Sequence, residues 1–396
     1  MMTDFTKTRA AFHLPDGMTY LDGNSLGPMP RAAADRVATM MADEWSQMLI
    51  TGWNKAGWYV QPRKVGDRIA RLIGAGDGQV VMGDTLSIKV FQAVSAALAL
   101  RPDRRVILSD SGNFPSDLYV AQGLARAVGA ELRVVAPDEV AAAITDDLAV
   151  LMLTEVDYRT GRRHDMAALT ARAHAAGALT VWDLAHSAGA VDVDLAGADA
   201  DFAVGCTYKY LNGGPGAPAF IWTHPRHADA AQPILQGWMG HHAPFAFDAD
   251  YRPAAGIERM RVGTPPVIAL SALDAALDIW DGVALSDLRA RSIELTQAFI
   301  AGVEAACPDV ALNSPRDPAL RGSQIGFRHP HAYAVMQALI AARVVGDFRA
   351  PDVLRFGFAP LYNDLDDVDR AVGTLARILR DGTWNDERFQ QKAAVT

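Results

Sequence analysis

The sequence predicts an α/β fold: a large domain with a mostly parallel mixed sheet flanked by helices, followed by a smaller α+β domain. Three observations carry that expectation. From about residue 79 onward, short apolar runs alternate with amphipathic stretches, as in successive βαβ units. The runs are apolar throughout, as expected of strands covered on both faces. Hydrophobic residues make up 50% of the 396 positions and charged residues 21%, which is too apolar for a disordered chain. At ~100–200 residues per domain, this length suits about two domains.

Residues 1–60 read as an irregular N-terminal arm that packs with the small domain. Within it, YLDGNSLGPMP at 20–30 is a turn-laden loop. A helix is expected over 31–48, where Val37, Met40, Met41, Trp45 and Met48 recur at helical spacing. The large domain is placed at 61–284. It starts its alternation with a helix at 87–100, then a strand at 105–108, a helix at 116–128, a strand at 132–135 and a helix at 138–144. A strong strand follows at 149–153, then an alanine-rich helix at 166–176 ended by Gly177, a suitable C-cap. Further strands are expected at 179–182, 202–205 and 219–222. Gly263-Thr264-Pro265-Pro266 breaks the chain. Helices at 267–279 and 285–306 come next. The small domain, 285–396, adds strands at 323–327 and 353–358 and helices at 333–344 and 366–380.

Charge and cysteine content narrow the function classes. Thirty-seven basic against 46 acidic residues leave a net charge of −9, which argues against nucleic-acid or anionic-membrane binding through bulk charge. Two cysteines, Cys206 and Cys307, cannot build a disulfide framework or a four-thiolate metal site, and no metal site is expected. A polar N-terminus and apolar runs well short of the ~20 residues of a membrane helix point to a cytoplasmic protein.

The chemistry concentrates in 181–217. An apolar strand ends at Trp182 and leaves Asp183 at its carboxyl end, with His186 three residues on; open α/β sheets bind ligands beyond those ends. A second apolar run, 202–205, leads to Thr207-Tyr208-Lys209 and the turn Gly213-Gly214-Pro215-Gly216. Desolvation beside a buried strand disfavours an ammonium and frees the amine as a nucleophile. Pyridoxal phosphate enzymes need such a lysine for a Schiff base, and a carboxylate to keep the pyridine nitrogen protonated. Taken singly, Lys209 also reads as a snorkelling surface lysine, Asp183 as a helix cap and His186 as a core histidine. It is their joint placement that carries the chemistry.

That placement resembles fold-type I pyridoxal phosphate enzymes of the aminotransferase class V group and, within them, the kynureninase family. Six segments carry the narrower resemblance: LDGNSLG (21–27), NFPSD (113–117), WDLAHSAG (182–189), TYKYLNGGPG (207–216), GWMG with RVGTPP (237–240 and 261–266), and RFGFAPLYN (355–363). They span nearly the whole chain. The resemblance implies hydrolytic Cβ–Cγ cleavage of L-kynurenine to anthranilate and L-alanine, with pyridoxal 5'-phosphate as cofactor. Lys209 would carry the cofactor and, once freed, move the α-proton. Asp183 would pair with the pyridinium nitrogen, with His186 as support beside it. Phe114 would stack on the ring, and Asp117 would sit near its hydroxyl. Leu86 and Ser87 would hold the phosphate at a helix N-terminus. Tyr208 would reach the phosphate and donate a proton to the reacting groups.

In the same family, Trp238 and Thr264 complete the phosphate site from the neighbouring subunit, which implies a homodimer with shared active sites. Arg355 would bind the substrate α-carboxylate, and Asn24 and Ser25 would line the substrate pocket. Trp53, Gly263 and Thr264 match the bacterial pocket type, which prefers kynurenine to its 3-hydroxy form.

Three other readings compete. A cysteine desulfurase or selenocysteine lyase of the same class needs a mobile nucleophilic cysteine. Cys307 precedes Pro308 at a helix end, and Cys206 reads as part of a strand. A cofactor-binding regulator without catalysis is disfavoured by intact Lys209, Asp183 and Arg355. A nicotinamide dehydrogenase would need G-x-G-x-x-G after its first strand, and the sequence has none there.

Overall fold

The computed structural model describes residues 2–391. Residue 1 of the predicted arm and 392–396 of the predicted small domain lie outside the described residues.

Seven strands form the large sheet: β1 (Val80–Met82), β2 (Val106–Asp110), β3 (Glu131–Val135), β4 (Leu148–Thr154), β5 (Leu179–Asp183), β6 (Phe202–Gly205) and β7 (Phe220–Thr223). Their spatial order is β1-β7-β6-β5-β4-β2-β3. Strands β6, β5, β4, β2 and β3 pair in parallel, whereas β7 is antiparallel to both β6 and β1. The reversal has a plain cause. The connection 206–219 contains no crossover helix, so the chain turns back at the carboxyl edge of β6 instead of crossing a face. Lys209 lies in that turn and is therefore held at the edge where ligands bind.

Side chains alternate across the pleat. Leu151, Leu153 and Trp182 enter a core shared with Val65, Ile69, Leu169, Ala173, Leu270 and Leu273. These come from α2 (Gln61–Ala70), α5 (Met166–Ala175) and α6 (Val267–Leu277), while α1 (Arg31–Thr39) packs on α6. Val150, Met152, Val181, Phe202 and Val204 face the other way, onto α3 (Leu86–Ala99) and α4 (Pro115–Val128). Trp182 is fully buried, and its indole N–H reaches Thr170 Oγ1 at 3.2 Å. Its truncation to alanine would cost ~3–5 kcal/mol, the usual range for a core aromatic.

A second core forms around α7 (Leu285–Ala306), α8 (Ala332–Ala341), α9 (Leu365–Arg380) and a four-stranded sheet. The strands β8 (Ala311–Leu312), β9 (Gln324–Arg328), β10 (Asp347–Arg349) and β11 (Val353–Gly357) lie in the order β10-β11-β9-β8, all antiparallel. Phe299 is the hub, with ring centroids of Phe327, Phe356 and Phe358 at 5.9, 4.9 and 5.1 Å. Helix α8 ends earlier than the sequence predicts, because Arg343 adopts φ +66° and the chain leaves as a short strand, Val344–Val345. The predicted helix at 138–144 shrinks to Val140–Ala143.

The start of the chain is stitched to this second core. Thr19–Tyr20 pairs in parallel with Val344–Val345, and Asp22 bridges Gly357. Arg9 donates to Asp367 Oδ2 at 2.6 Å, and Thr8 Oγ1 to the Leu361 carbonyl at 2.7 Å.

Candidate active site

A cavity of about 230 Å³ opens at the carboxyl ends of β5 and β6. Leu86, Ser87, Phe114, Asp183, His186, Tyr208 and Lys209 all line it. Helix α3 points its N-terminus at this space, and the side chain of Thr85, its N-cap residue, makes no capping bond. The first amide N–H groups of a helix lack partners within it, so this end suits an anion. Lys209 Nζ lies 2.9 Å from His186 Nε2, 5.8 Å from the Phe114 ring centroid and 5.9 Å from that of Tyr208.

The carboxyls beneath are unusually placed. Asp183 accepts from the Ala185 backbone N–H at 2.8 Å and from Thr154 Oγ1 at 3.3 Å. Burial pushes it up from the ordinary carboxylate range, against the pull of the Lys209 charge and the Ala185 N–H. Asp117 is fully buried, and neither of its oxygens meets a donor among the described residues. Burial first, then the charge of Asp183, holds its carboxyl well above the usual range. A pair of buried carboxyls is costly even with the Lys209 charge near both. A flat ligand that brings a ring N–H to Asp183 and a phosphate to α3 matches this donor set. The residues therefore fit pyridoxal phosphate.

Tyr208 stays protonated: the neighbouring Cys206, then burial, pushes its phenol up. Two close approaches hold the lysine turn. Gly27 N–H donates to the Tyr208 carbonyl at 2.8 Å, and a Cβ on Gly27 would lie 2.5 Å from the Lys209 carbonyl oxygen. Gly214 and Gly216 adopt φ of +90° and +72°, a region that favours glycine.

The substrate-side residues lie on the second core. Arg355 is buried, and its fork is already engaged. Nε donates to Asp347 Oδ1 at 2.7 Å, Nη2 to Asp347 Oδ2 and to Ser25 Oγ (2.8 Å), and Nη1 to the Tyr158 carbonyl. Arg349 reaches the same Asp347 oxygen at 2.7 Å. Asn24 is fully buried, with neither amide atom partnered among the described residues, and it lies against Gly357.

Seven of the fourteen predicted site residues are not in the cavity lining within one chain: Asp117 lies behind Asp183, Asn24, Ser25 and Arg355 sit on the second core as described, and three others lie apart. Trp53 is half-buried and packs edge-on against Trp58 at 6.5 Å. Trp238 is 39% exposed and meets Phe245, and Thr264 is exposed. Cys206 lies just past β6, not in it, and lines the cavity.

Sequence reasoning missed Thr85, Ser116, Cys206, Gly216 and Ala217 on the cavity wall, and the partners Asp347, Arg349 and Gln324. Asp347 and Arg349 had a signal: a two-residue spacing, which puts both on one face of a strand.

Comparison with known proteins places this architecture. Residues 288–375 match the model of the kynureninase C-terminal domain. A kynureninase of Deinococcus radiodurans is 53% identical, with 94% of this chain and 92% of that protein covered. A kynureninase of Burkholderia pseudomallei is 50% identical over 98% of this chain and 95% of that protein.

The chain belongs to the kynureninase family.

Solved structures add the fold. An apo cysteine desulfurase from Thermococcus onnurineus NA1 superposes with a TM-score of 0.81 at 19% identity, over 96% of this chain and 99% of that one. A C-DES variant with glycine covalently linked to its PLP cofactor gives 0.76 at 17% identity, covering 93% and 98%. The expected α/β architecture of fold-type I is thereby shown. Both cysteines of this family member are buried, Cys307 in the second core, so neither offers the mobile nucleophile that a desulfurase needs.

Proposed function

We propose that the chain hydrolyses the Cβ–Cγ bond of L-kynurenine, giving anthranilate and L-alanine, with pyridoxal phosphate as cofactor. Family membership supports the reaction. The observation that carries it to this chain is the convergence of Lys209, Asp183 and Tyr208 on the cavity that receives the uncapped start of α3.

Bound there, the cofactor supplies an electron sink for charge developing at the substrate α-carbon. The chain's own groups do the rest. Leu86 and Ser87 hold the phosphate, Phe114 covers the ring, and Asp117 and Asp183 meet its polar edge. Lys209 Nζ carries the cofactor and, when free, moves the α-proton. Tyr208, kept protonated, donates at the reacting carbonyl. Arg355 receives the α-carboxylate, with Asn24 and Ser25 beside it and Trp53 toward the aromatic end. Trp238 and Thr264 act in the partner subunit's site of a homodimer.

The reading includes an arm at 1–60, a cofactor-binding domain at 61–284 and a small domain at 285–396. It also includes 3-hydroxykynurenine as a poorer substrate and a cytoplasmic place in tryptophan catabolism. Among the described residues no helix is long and apolar enough to cross a membrane.

The test is a visible spectrum of the purified protein, then anthranilate fluorescence after addition of L-kynurenine. A cofactor band with rising emission is expected. A band without emission would overturn the substrate, and no band after adding pyridoxal phosphate would overturn the cofactor.

A further inference from the structure

One buried residue of the small sheet reaches into the active site and is used by none of the roles above. Gln324 opens β9, is 1% exposed, and makes two side-chain contacts. Its Nε2 donates to the Asp157 carbonyl at 2.8 Å, and its Oε1 lies 2.8 Å from His186 Nδ1. His186 Nε2 in turn lies 2.9 Å from Lys209 Nζ.

The direction of this chain is forced at its far end. A backbone carbonyl can only accept, so the Gln324 amide must turn its NH2 toward Asp157 and its oxygen toward His186. The imidazole must then carry its proton on Nδ1, which leaves Nε2 as a lone pair facing the lysine. Each link polarises the next in a buried setting. We propose that Gln324 is a positioning residue that fixes the His186 tautomer, so that the imidazole accepts from the free Lys209 amine and orients it for proton transfer. The proposal rests on the proposed role of Lys209.

The surroundings agree. Burial, then the charges of Lys209, Arg355 and Arg349, hold His186 well below its usual value, so the ring is neutral and has one donor and one acceptor. Lys209 faces it from the turn after β6, Gln324 from β9, Arg349 from β10 and Arg355 from β11. With the amide reversed, so that Gln324 donated to Nδ1, the ring proton would sit on Nε2, facing a lysine that has only donors to offer when charged.

The experiment is nitrogen NMR of the full chain labelled at histidine, without cofactor, where Lys209 is free, together with the pH profile of kcat for the loaded enzyme. The wild-type His186 is expected as the Nδ1–H tautomer. Gln324→Leu should lose that tautomer and about tenfold in kcat/KM, the low end of what is lost when the outer partner of a metal-bound histidine is removed. Gln324→Glu keeps an acceptor for Nδ1–H. It should retain the tautomer, recover activity above the leucine variant, and move the acid limb of kcat to higher pH, because a carboxylate there favours imidazolium.

An Nε2–H signal in the wild type overturns the proposal, as does a leucine variant with unchanged tautomer and pH profile. If the leucine variant does not fold, the wild-type tautomer and the glutamate variant still decide. The NMR result needs no substrate, so a failure of the kynurenine assignment would be seen separately, as absent anthranilate emission.

Discussion

The two ends of the active site are built on opposite electrostatic plans. At the cofactor end, polar groups are left open: Asp117 has no donor among the described residues, and no side chain caps α3. At the carboxylate end, the guanidiniums already have partners: Arg355 and Arg349 share Asp347, and Ser25 bridges them. The large sheet supplies the first end and the small sheet the second. The open end costs folding energy that a resident cofactor repays on binding. The closed end is stable without ligand, so a substrate carboxylate must exchange partners with Ser25 or Asp347. Exchange of that kind adds little net affinity but discriminates sharply against a ligand that cannot replace the lost bonds.

The largest effect that would break this comparison lies at the open end. Lys209→Ala should abolish the visible cofactor band and lower turnover by at least ~10⁴-fold, since it removes both the covalent tether and the proton carrier. Retention of the native rate in that variant would refute the assignment. At the closed end, Arg355→Lys keeps a cation for Asp347 but loses the planar fork. The expected result is a rise in KM for L-kynurenine of about 30-fold, near the ~2 kcal/mol of one charge-assisted bond, with the cofactor spectrum unchanged. An equal loss of cofactor would show that the two ends are not separable.

A further prediction asks whether the open end is completed by a second copy. Trp238→Ala should weaken cofactor retention about tenfold. Mixed in equal amounts with Lys209→Ala, it should restore about a quarter of wild-type activity, because half the dimers then hold one intact site of two. No recovery above the separate variants would mean that each chain builds its site alone.

The same contrast explains how much was legible in the sequence. Asp183 and Lys209 stand at and past the ends of buried parallel strands, which read as unbroken apolar runs, so these two groups of the open end could be placed by local pattern. The closed end could not. It depends on pairings such as Ser25 with Asp347 and Ser25 with Arg355, between residues 322 and 330 positions apart, and single-chain periodicity carries no information on those. The strands missed were also the shortest: Val80–Met82, Ala311–Leu312, Asp347–Arg349 and the ladder Thr19–Tyr20 with Val344–Val345. Two or three residues are too few to show a period of two. Helix α2 (Gln61–Ala70) was missed within a stretch of mixed polarity. The roles of Leu86, Ser87, Phe114, Asp117, Tyr208, Arg355, Asn24 and Ser25 came from resemblance, as did those of Trp53, Trp238 and Thr264, and one chain does not bring the last three to the cavity.

The smallest effect sharpens the comparison by asking how closed the closed end is. Asp22 is the one carboxyl there pushed up, to about 7, by burial first and then by the Asp347 charge, against the pull of Arg355. Its neighbour Asp347 stays below the ordinary range: burial works upward, but the Arg355 charge and hydrogen bond outweigh it. The two carboxyls therefore divide the work, one ionised as the partner of the arginines and one neutral until about pH 7. The sign follows from linkage. Below pH ~4 Asp22 is protonated folded or unfolded, and its contribution to stability is fully present. As pH rises toward 7 the unfolded chain releases the proton and the folded chain holds it, so that contribution is lost across this window. Above 7 the ionised Asp22 adds a second negative charge beside Arg355 and weakens its hold on a substrate carboxylate. KM for L-kynurenine should thus rise about threefold between pH 6 and 8, roughly 0.7 kcal/mol, and Asp22→Asn should flatten that rise and the slope of unfolding stability between pH 4 and 7. An unchanged KM profile in the asparagine variant would mean that Asp347 alone sets the charge at Arg355, and that the closed end is insulated from pH.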